Sequence, residues 1–263
     1  MIELDTHLRE TRVRYAKVPT RTEVKTLSAR LFLPDRAQAP LLIWLHAGGF
    51  RTGNIDHPRH PLIAEAFAAH GIATACVEYR LRCPRRALSE QSKALFPRLR
   101  ADAAAQDYGL RSILTGAAAI GAMESVILFL KWRAEQGKRH GLGNRTLLGG
   151  SSAGAITVLN TLVLAPHLGI RLPRIEAACV QSGAFAYPSF ASDNRTPILA
   201  VHNPNDPRVP IASIRAFAAR TPACTLIESS RQPHGSLSHA RKEPLSTAVA
   251  RVITFARENG ARL

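Results

Sequence analysis

The chain has 263 residues, a length that fits one α/β domain, and we predict a single domain over residues 1–263. Its composition, 46% hydrophobic and 21% charged, is typical of globular domains and excludes disordered and fibrous architectures. The formal net charge of +16 is carried mainly by arginine, but the arginines are scattered and form no basic stripe interleaved with aromatic residues. This pattern favours a solvated basic surface over one that steers anionic molecules, and it predicts no nucleic-acid partner.

The sequence also gives predictions about cellular location and cofactors. Residues 1–7 lack the apolar core of a secretory signal and no apolar run reaches spanning length, so we predict a cytoplasmic protein without an integral membrane segment. The cysteines, at positions 76, 83, 179 and 224, are widely spaced and predict neither a disulfide framework nor a metal site. Glycine motifs that bind phosphates or dinucleotides are absent, so we expect no cofactor.

The N-terminal third alternates between strand and helix patterns. Alternating apolar and polar residues at 12–18 and 22–33 predict an antiparallel hairpin. Continuous apolar runs at 40–46 and 72–79, with a helical segment at 58–70 between them, predict a βαβ unit with two parallel strands buried on both faces.

The stretch 83–116 has a less regular pattern. It is rich in Ala, Arg and Gln and contains Pro84 and Pro97, which we interpret as breaks. We predict a loop or a small, helical, cap-like insertion over the C-terminal edge of the sheet. A long helix at 117–136, ending at Gly137, follows it.

The alternation continues to the C-terminus. Further strands are predicted at 145–148, 175–181, 197–202 and 224–228, and further helices at 153–164, 210–219 and 244–258. The repeated order of strand and helix predicts an α/β fold with a doubly wound, mostly parallel sheet and right-handed crossovers.

The sharpest local signal is G-x-S-x-G at 150–154, between an apolar strand and helix-forming sequence. Gly150 and Gly154 frame Ser152, and small residues at these two positions let the chain turn sharply enough to present the hydroxyl above the sheet. The helix that follows directs its N-terminal amides toward developing negative charge. This context predicts a nucleophile elbow with Ser152 as the nucleophile.

A second signal lies directly after the strand at 40–46. A nucleophilic serine needs hydrogen-bond donors for the oxyanion of its tetrahedral intermediate. The sequence His46-Ala47-Gly48-Gly49 predicts a loop whose backbone amides point at that oxyanion, together with the amide of the residue after the serine. An ordinary glycine turn beside a buried histidine is the alternative interpretation.

These motifs resemble those of carboxylesterases related to hormone-sensitive lipase and to feruloyl esterases, from about residue 40 to the C-terminus. Positions 46–49 are similar to the family's H-G-G-G element, with Ala47 in place of the first glycine. Positions 77–81 are similar to its V-D-Y-R-L segment. Positions 149–154 are similar to its G-D-S-A-G element, with Ser151 at the usually acidic position.

The resemblance implies an α/β-hydrolase fold and the cleavage of carboxylic esters. In that family the second and third glycines of H-G-G-G and the residue after the serine donate to the oxyanion. By position, these donors are Gly48, Gly49 and Ala153. Ala47 keeps a backbone amide, so the change at that position removes no donor.

The triad partners of such a serine follow it in the order acid, then histidine. Asp206 lies in a turn after the predicted strand at 197–202, where a carboxylate can orient and stabilise the histidine. Capping of the next helix is the alternative role for Asp206. Asp193 lies before that strand and is the weaker candidate for the acid.

The predicted general base is His234, in the loop after the strand at 224–228. Gly235 directly after it suits a tight, exposed turn. His239 lies in the same stretch and is a rival for this role. His202 lies inside an apolar strand, and we interpret it as a core histidine or one near the site.

The sequence therefore predicts a cofactor-independent serine hydrolase that cleaves small or aromatic carboxylic esters through an acyl-enzyme. The insertion at 83–116 is too short and polar for a long apolar lid, which favours small substrates. Cleavage of thioesters, arylformamides or peptides stays open, because the same triad serves them all. A non-catalytic protein of this fold that binds a ligand or partner is the rival from another class.

Two further points stay open at this stage. Arg82, Arg85 and Arg86 either face the mouth of the site, where they favour an anionic substrate, or are plain surface charge. The oligomeric state, including a homodimer, is not specified by any feature of the sequence.

Overall fold

The protein is described by a computed structural model that covers residues 8–263, apart from the side chains of residues 192 and 193, and that contains one eight-stranded sheet. The strands are β1 (Arg9–Pro19), β2 (Val24–Leu33), β3 (Ala39–Leu45), β4 (Ala73–Val77), β5 (Leu142–Ser151), β6 (Ile175–Gln181), β7 (Ile198–His202) and β8 (Cys224–Glu228). Their order across the sheet is β1-β2-β4-β3-β5-β6-β7-β8. The pairs β1–β2 and β2–β4 are antiparallel, whereas the other neighbours are parallel. The N-terminal hairpin and the mostly parallel sheet are thus confirmed.

Helices cover both faces of this sheet. They are α1 (Arg59–Ala68), α2 (Glu90–Ala105), α3 (Ser112–Thr115), α4 (Ala117–Gln136), α5 (Ala153–Leu164), α6 (Ala212–Arg220) and α7 (Leu245–Glu258). On one face α1 and α7 bury residues such as Phe67 and Ile253, and on the other face α4 and α5 bury Phe129 and Leu159. Burial of each such side chain stabilises the fold by about 1.5–3 kcal/mol. The doubly wound α/β class is confirmed.

The topology directs several loops to one edge of the sheet. All residues of β3 and of β6 are buried, as expected for parallel strands covered by helices on both faces. Because β3 and β5 to β8 run parallel, the loops that follow their carboxyl ends converge at the same edge. The segments after β3, β5, β7 and β8 are those in which the sequence placed its candidate residues.

The segment 83–116 holds more regular helix than the sequence indicated. Pro97 lies in the interior of the 16-residue helix α2, so its interpretation as a break is wrong. A proline inside a helix costs about 3 kcal/mol because it removes a backbone donor. The helix persists because Phe96 and Leu99 beside the proline are buried, and because Ser89 caps its start by accepting from the Ser92 amide at 3.2 Å.

Two predictions concern a secretory signal and membrane-spanning segments. The absence of a secretory signal was read from residues 1–7, which lie outside the described residues. Among residues 8–263, no helix combines the length and the apolar character needed to cross a bilayer.

Candidate active site

Ser152 lies at the junction of β5 and α5 in a sharp turn. Its backbone has φ 54° and ψ −115°, a strained conformation for a residue other than glycine. Such strain costs on the order of 1–3 kcal/mol and persists only where the surroundings hold it. Here the Ser152 amide donates to the carbonyl of Gln181 at 2.8 Å, and the Ile156 amide donates to the Ser152 carbonyl at 3.0 Å. Strand and helix together therefore hold the elbow.

The glycines around the serine are required by close packing. A Cβ atom at Gly154 would lie 2.1 Å from the carbonyl oxygen of Leu45, and one at Gly150 would lie 2.6 Å from the carbonyl carbon of Gly154. The strand β5 also continues beyond the predicted end at Leu148 as far as Ser151. The glycines thus extend the strand and let α5 start against β3.

We expect Gly154→Ala to destabilise the protein strongly, because its methyl group must displace the backbone carbonyl of Leu45. The free energy of unfolding should fall by about 3 kcal/mol or more. Gly169→Ala is the matched control, since a Cβ atom there meets nothing within 4 Å although φ is +72°. It should cost only about 1–2 kcal/mol of left-handed backbone strain. Urea unfolding of the two variants checks this, and equal losses would contradict it.

The structure brings the three sequence-predicted triad residues together. His234 Nδ1 lies 2.6 Å from Asp206 Oδ2, and His234 Nε2 lies 2.9 Å from Ser152 Oγ. With the carboxylate as the acceptor on one side, Nδ1 carries the proton and Nε2 is free to accept from the serine hydroxyl. The candidate nucleophile, base and acid thus form one continuous chain of hydrogen bonds.

Asp206 is held in its ionised form by several donors. Its Oδ1 accepts from the amides of Arg208 at 2.8 Å and Val209 at 3.1 Å. Burial by itself would raise the pKa of this carboxyl, but the bonds from His234 and the two amides outweigh it and leave the pKa below its ordinary value. His202, a buried neighbour, donates from Nε2 to the Val209 carbonyl at 2.8 Å and so supports the loop that bears Asp206.

The rival base His239 does not join this chain of hydrogen bonds. The amide of His239 donates to Glu243 Oε2 at 2.5 Å, and its ring nitrogen Nε2 has no hydrogen-bond partner among the described residues. The geometry therefore favours His234 over His239. The side chain of Asp193, the weaker candidate for the acid, lies outside the described part of the structure.

The loop that carries the histidine is anchored by residues that the sequence analysis missed. The Gly235 amide donates to Ser182 Oγ at 2.9 Å, and Ser151 Oγ donates to the Gly235 carbonyl. Gln232, which is buried, donates to the Ser236 carbonyl at 2.8 Å. The departure from the usual acidic residue at Ser151 was the one available signal, because the other contacts depend on tertiary structure.

The loop after β3 is a tight turn that contains two glycines with positive φ. Gly48 and Gly49 have φ of +132° and +58°, and a Cβ atom at Gly48 would lie 2.0 Å from the carbonyl oxygen of Thr52. The Gly48 carbonyl accepts from the amides of Arg51 and Thr52 at 3.0 and 3.1 Å. Within residues 8–263, no hydrogen bond uses the amides of Gly48, Gly49 or Ala153. These three donors are therefore available to a ligand.

His46 supports this loop from below. Its ring stacks on Tyr79 with centroids 4.2 Å apart, and its Nδ1 donates to the Ala47 carbonyl at 2.7 Å. The Tyr79 hydroxyl donates to the His46 carbonyl at 2.7 Å. Tyr79, within the segment 77–81, thus helps to hold the oxyanion loop in place.

The buried His46 gives an expected pH dependence of stability. Burial lowers its pKa from 6.5 to about 4, against the opposing hydrogen bond to Ala47. Between these values the unfolded chain binds one proton more than the folded protein, so the free energy of unfolding falls as pH is lowered, by up to about 1.4 kcal/mol per pH unit. Urea unfolding at pH 7 and pH 5 should show a smaller decrease for His46→Gln than for the parent. An identical decrease would contradict this assignment.

A cavity of about 710 Å³ opens beside the histidine loop, between that loop and α1. Its wall includes His46, Ala47, Ser151 and His234. The wall also holds apolar side chains, namely Trp44, Leu62, Ile63, Leu237 and Leu245, and the basic side chains of Arg59 and Arg241. This volume is in the usual range for sites that bind small molecules.

Taken as chemistry, the arrangement fits acyl transfer: a hydroxyl aligned with a base, a base oriented by a carboxylate, and free amides for an oxyanion. In the described part of the chain, no three His, Cys, Asp or Glu side chains come close enough to share a metal ion.

Comparison with known proteins shows similarity to esterases. No family model matches the chain. Gut esterase 1 of Caenorhabditis elegans is 32% identical over 56 residues, which are 21% of this chain and only 10% of that protein. Esterase 2 of Thermogutta terrifontis, phosphorylated by paraoxon, has a TM-score of 0.69 at 15% identity, over 95% of this chain and 94% of that one. Esterase B of Lactobacillus rhamnosis, in a tributyrin phosphonate structure, has a TM-score of 0.65 at 15% identity, over 96% and 86% of the two chains.

The chain therefore has the fold of these esterases, the α/β-hydrolase fold. This confirms the fold that the sequence motifs imply. A closer kinship to hormone-sensitive lipase or feruloyl esterases stays a prediction.

Proposed function

We propose that the protein is a serine carboxylesterase that hydrolyses small or aromatic esters. The observation that carries this proposal is the hydrogen-bond chain from Ser152 Oγ through His234 to Asp206, beside three free amides. The fold shared with esterases supports the same reaction class.

In this mechanism Ser152 Oγ attacks the ester carbonyl while His234 Nε2 takes the hydroxyl proton. The carbonyl oxygen becomes an oxyanion, and the amides of Gly48, Gly49 and Ala153 donate to it. Collapse of the intermediate breaks the bond to the alcohol, which leaves with the proton from His234. Water then attacks the acyl-enzyme by the same route and releases the acid. Asp206 stabilises the imidazolium in both halves.

Two features support small substrates. The cavity beside His234 has a volume of about 710 Å³, room for a group of moderate size. Its wall combines apolar Leu62 and Leu237 with polar Ser236 and Asn54, unlike a tunnel for a long acyl chain. Cytoplasmic location and the oligomeric state stay predictions, and thioester, arylformamide and peptide cleavage remain alternatives for the same triad.

Hydrolysis of 4-nitrophenyl esters from acetate to palmitate tests this proposal. We expect turnover of the short esters and a fall in kcat/KM as the acyl chain lengthens. The matching thioester and anilide of the best acyl group separate esterase from thioesterase and amidase. If no ester is turned over and a fluorophosphonate probe does not label the protein, the rival proposal of a ligand-binding protein replaces this one.

A further inference from the structure

The loop that joins α2 and α3 crosses the candidate site. This loop, residues 106–111, is called the strap below. A Cβ atom at Gly109 would lie 3.4 Å from Cγ of Pro210, in the loop that bears Asp206. At the other end of the strap, Nη2 of Arg111 lies 3.9 Å from the Cβ position of Gly49. The strap therefore reaches from the loop of the acid to the loop of the oxyanion donors.

Arg111 faces open space above the oxyanion loop. Apart from the chain neighbours of Gly49, its guanidinium supplies the sole heavy atom within 4 Å of that Cβ position in the described structure. The guanidinium of Arg111 therefore borders the open space beside Gly49, one of the three proposed oxyanion donors. The Arg111 side chain itself is exposed to solvent.

No carboxylate among the described side chains neutralises this guanidinium within salt-bridge distance. The acid on the strap, Asp107, instead accepts from the Gly109 amide at 2.9 Å. Arg111 thus remains available to a ligand.

The sequence left open whether Arg82, Arg85 and Arg86 face the mouth of the site. Arg85 lies over the ring of Phe96, 5.5 Å from its centroid, and Arg86 donates to the Arg21 carbonyl at 2.7 Å. Arg82 contacts the oxyanion loop from its other end, where its Nε donates to the Arg51 carbonyl at 3.3 Å. Arg111, which the sequence analysis did not single out, is the arginine whose guanidinium borders the Cβ position of Gly49.

We propose that Arg111 binds an anionic group of the substrate, so that the preferred substrates are esters that carry a carboxylate. A planar guanidinium offers two parallel N–H donors that match the two oxygens of a carboxylate. Arg111 is a specificity-determining residue in this assignment, which rests on the proposed esterase function.

Two substrate pairs of similar shape and different charge test this proposal. The first is 4-acetoxybenzoate against its methyl ester, and the second is mono-4-nitrophenyl adipate against 4-nitrophenyl hexanoate, each corrected for spontaneous hydrolysis. The first pair carries the carboxylate on the leaving group and the second on the acyl chain. The pair that responds therefore identifies the side of the ester that Arg111 contacts.

The readout is the ratio of kcat/KM for the anionic and neutral member of a pair. We expect the parent to prefer the anionic member of at least one pair, and Arg111→Gln to lower that ratio by about fivefold or more. Arg111→Lys should keep part of the preference for the anionic ester, because lysine keeps the positive charge but lacks the two parallel N–H donors of the guanidinium. Added salt should reduce the preference of the parent, since the guanidinium is exposed.

Arg220→Gln is the matched control. Arg220 is exposed at the C-terminal end of α6, which lies at the edge of the sheet opposite the site. The Arg220→Gln substitution removes one positive charge without changing the strap. The ratio of kcat/KM for the anionic and neutral esters should therefore remain that of the parent. The proposal is wrong if Arg111→Gln leaves both ratios as in the parent, or if Arg220→Gln lowers them equally. If Arg111→Gln leaves the ratios unchanged but the parent turns over neutral esters, the esterase function still stands. If the parent turns over no ester at all, both the esterase function and the role of Arg111 are wrong.

Discussion

We expect Ser152→Ala to lower kcat/KM for 4-nitrophenyl butyrate by a factor of about 10⁴ or more. The residual activity is the part that substrate binding and the oxyanion donors provide. Without Oγ, His234 Nε2 has no hydroxyl to activate and no acyl-enzyme forms. The methyl group of alanine fits where the serine side chain was, and the elbow is held by backbone bonds to Gln181 and Ile156. The variant should therefore fold normally. Steady-state kinetics with circular dichroism as a check on folding measure this.

Ser246→Ala is a suitable control for this change, because Ser246 is exposed on α7. It should retain parental activity. Substantial ester turnover by folded Ser152→Ala protein, above that of buffer and comparable to the control, would show that another group is the nucleophile.

The second large effect is expected for Asp206→Asn, which should lower kcat by about 10³ to 10⁴. The amide oxygen of asparagine can still accept from Arg208 and Val209, so its NH₂ group turns toward His234. An N–H donor facing Nδ1 forces the proton of the imidazole onto Nε2. His234 then presents a donor to Ser152 and cannot take the hydroxyl proton. Kinetics of the purified variant measure the loss.

Asp102→Asn is the matched control, because Asp102 also accepts a backbone bond, from the Ser189 amide at 3.0 Å, and lies outside the hydrogen-bond chain. It should keep parental kcat. If Asp206→Asn is folded and retains full activity, Asp206 is not the acid of the triad, and its role is the structural one of accepting from the Arg208 and Val209 amides.

The sequence predicted the alternation of the fold well because its signals are local. The buried strand β3 is a continuous apolar run, and α4 has apolar residues at helical spacing. The local sequence pattern gave wrong helix and strand boundaries where tertiary contacts determine them. Pro97 looks like a break, yet it lies in α2 because the neighbouring side chains are buried, and β5 extends through Gly149 because this residue pairs with both β3 and β6.

The residues of the candidate site also differ in whether local sequence could predict them. Ser152, Gly48 and Gly49 were found because the elbow and the glycine turn each need particular residues at fixed short spacing. Ser182 and Arg111 were missed because nothing near them in the sequence marks them. Ser182 reaches Gly235 across the sheet edge, and Arg111 reaches Gly49 through the strap.

Mass spectrometry of protein labelled with a fluorophosphonate tests the central claim most directly. Trypsin releases residues 146–171 as one peptide, and its fragment ions separate Ser151 from Ser152. The triad geometry predicts one adduct, on Ser152, that forms in the parent and is lost in Ser152→Ala. An adduct on Ser151 or on a serine outside this peptide, or no adduct on folded parent protein, would contradict Ser152 as the nucleophile.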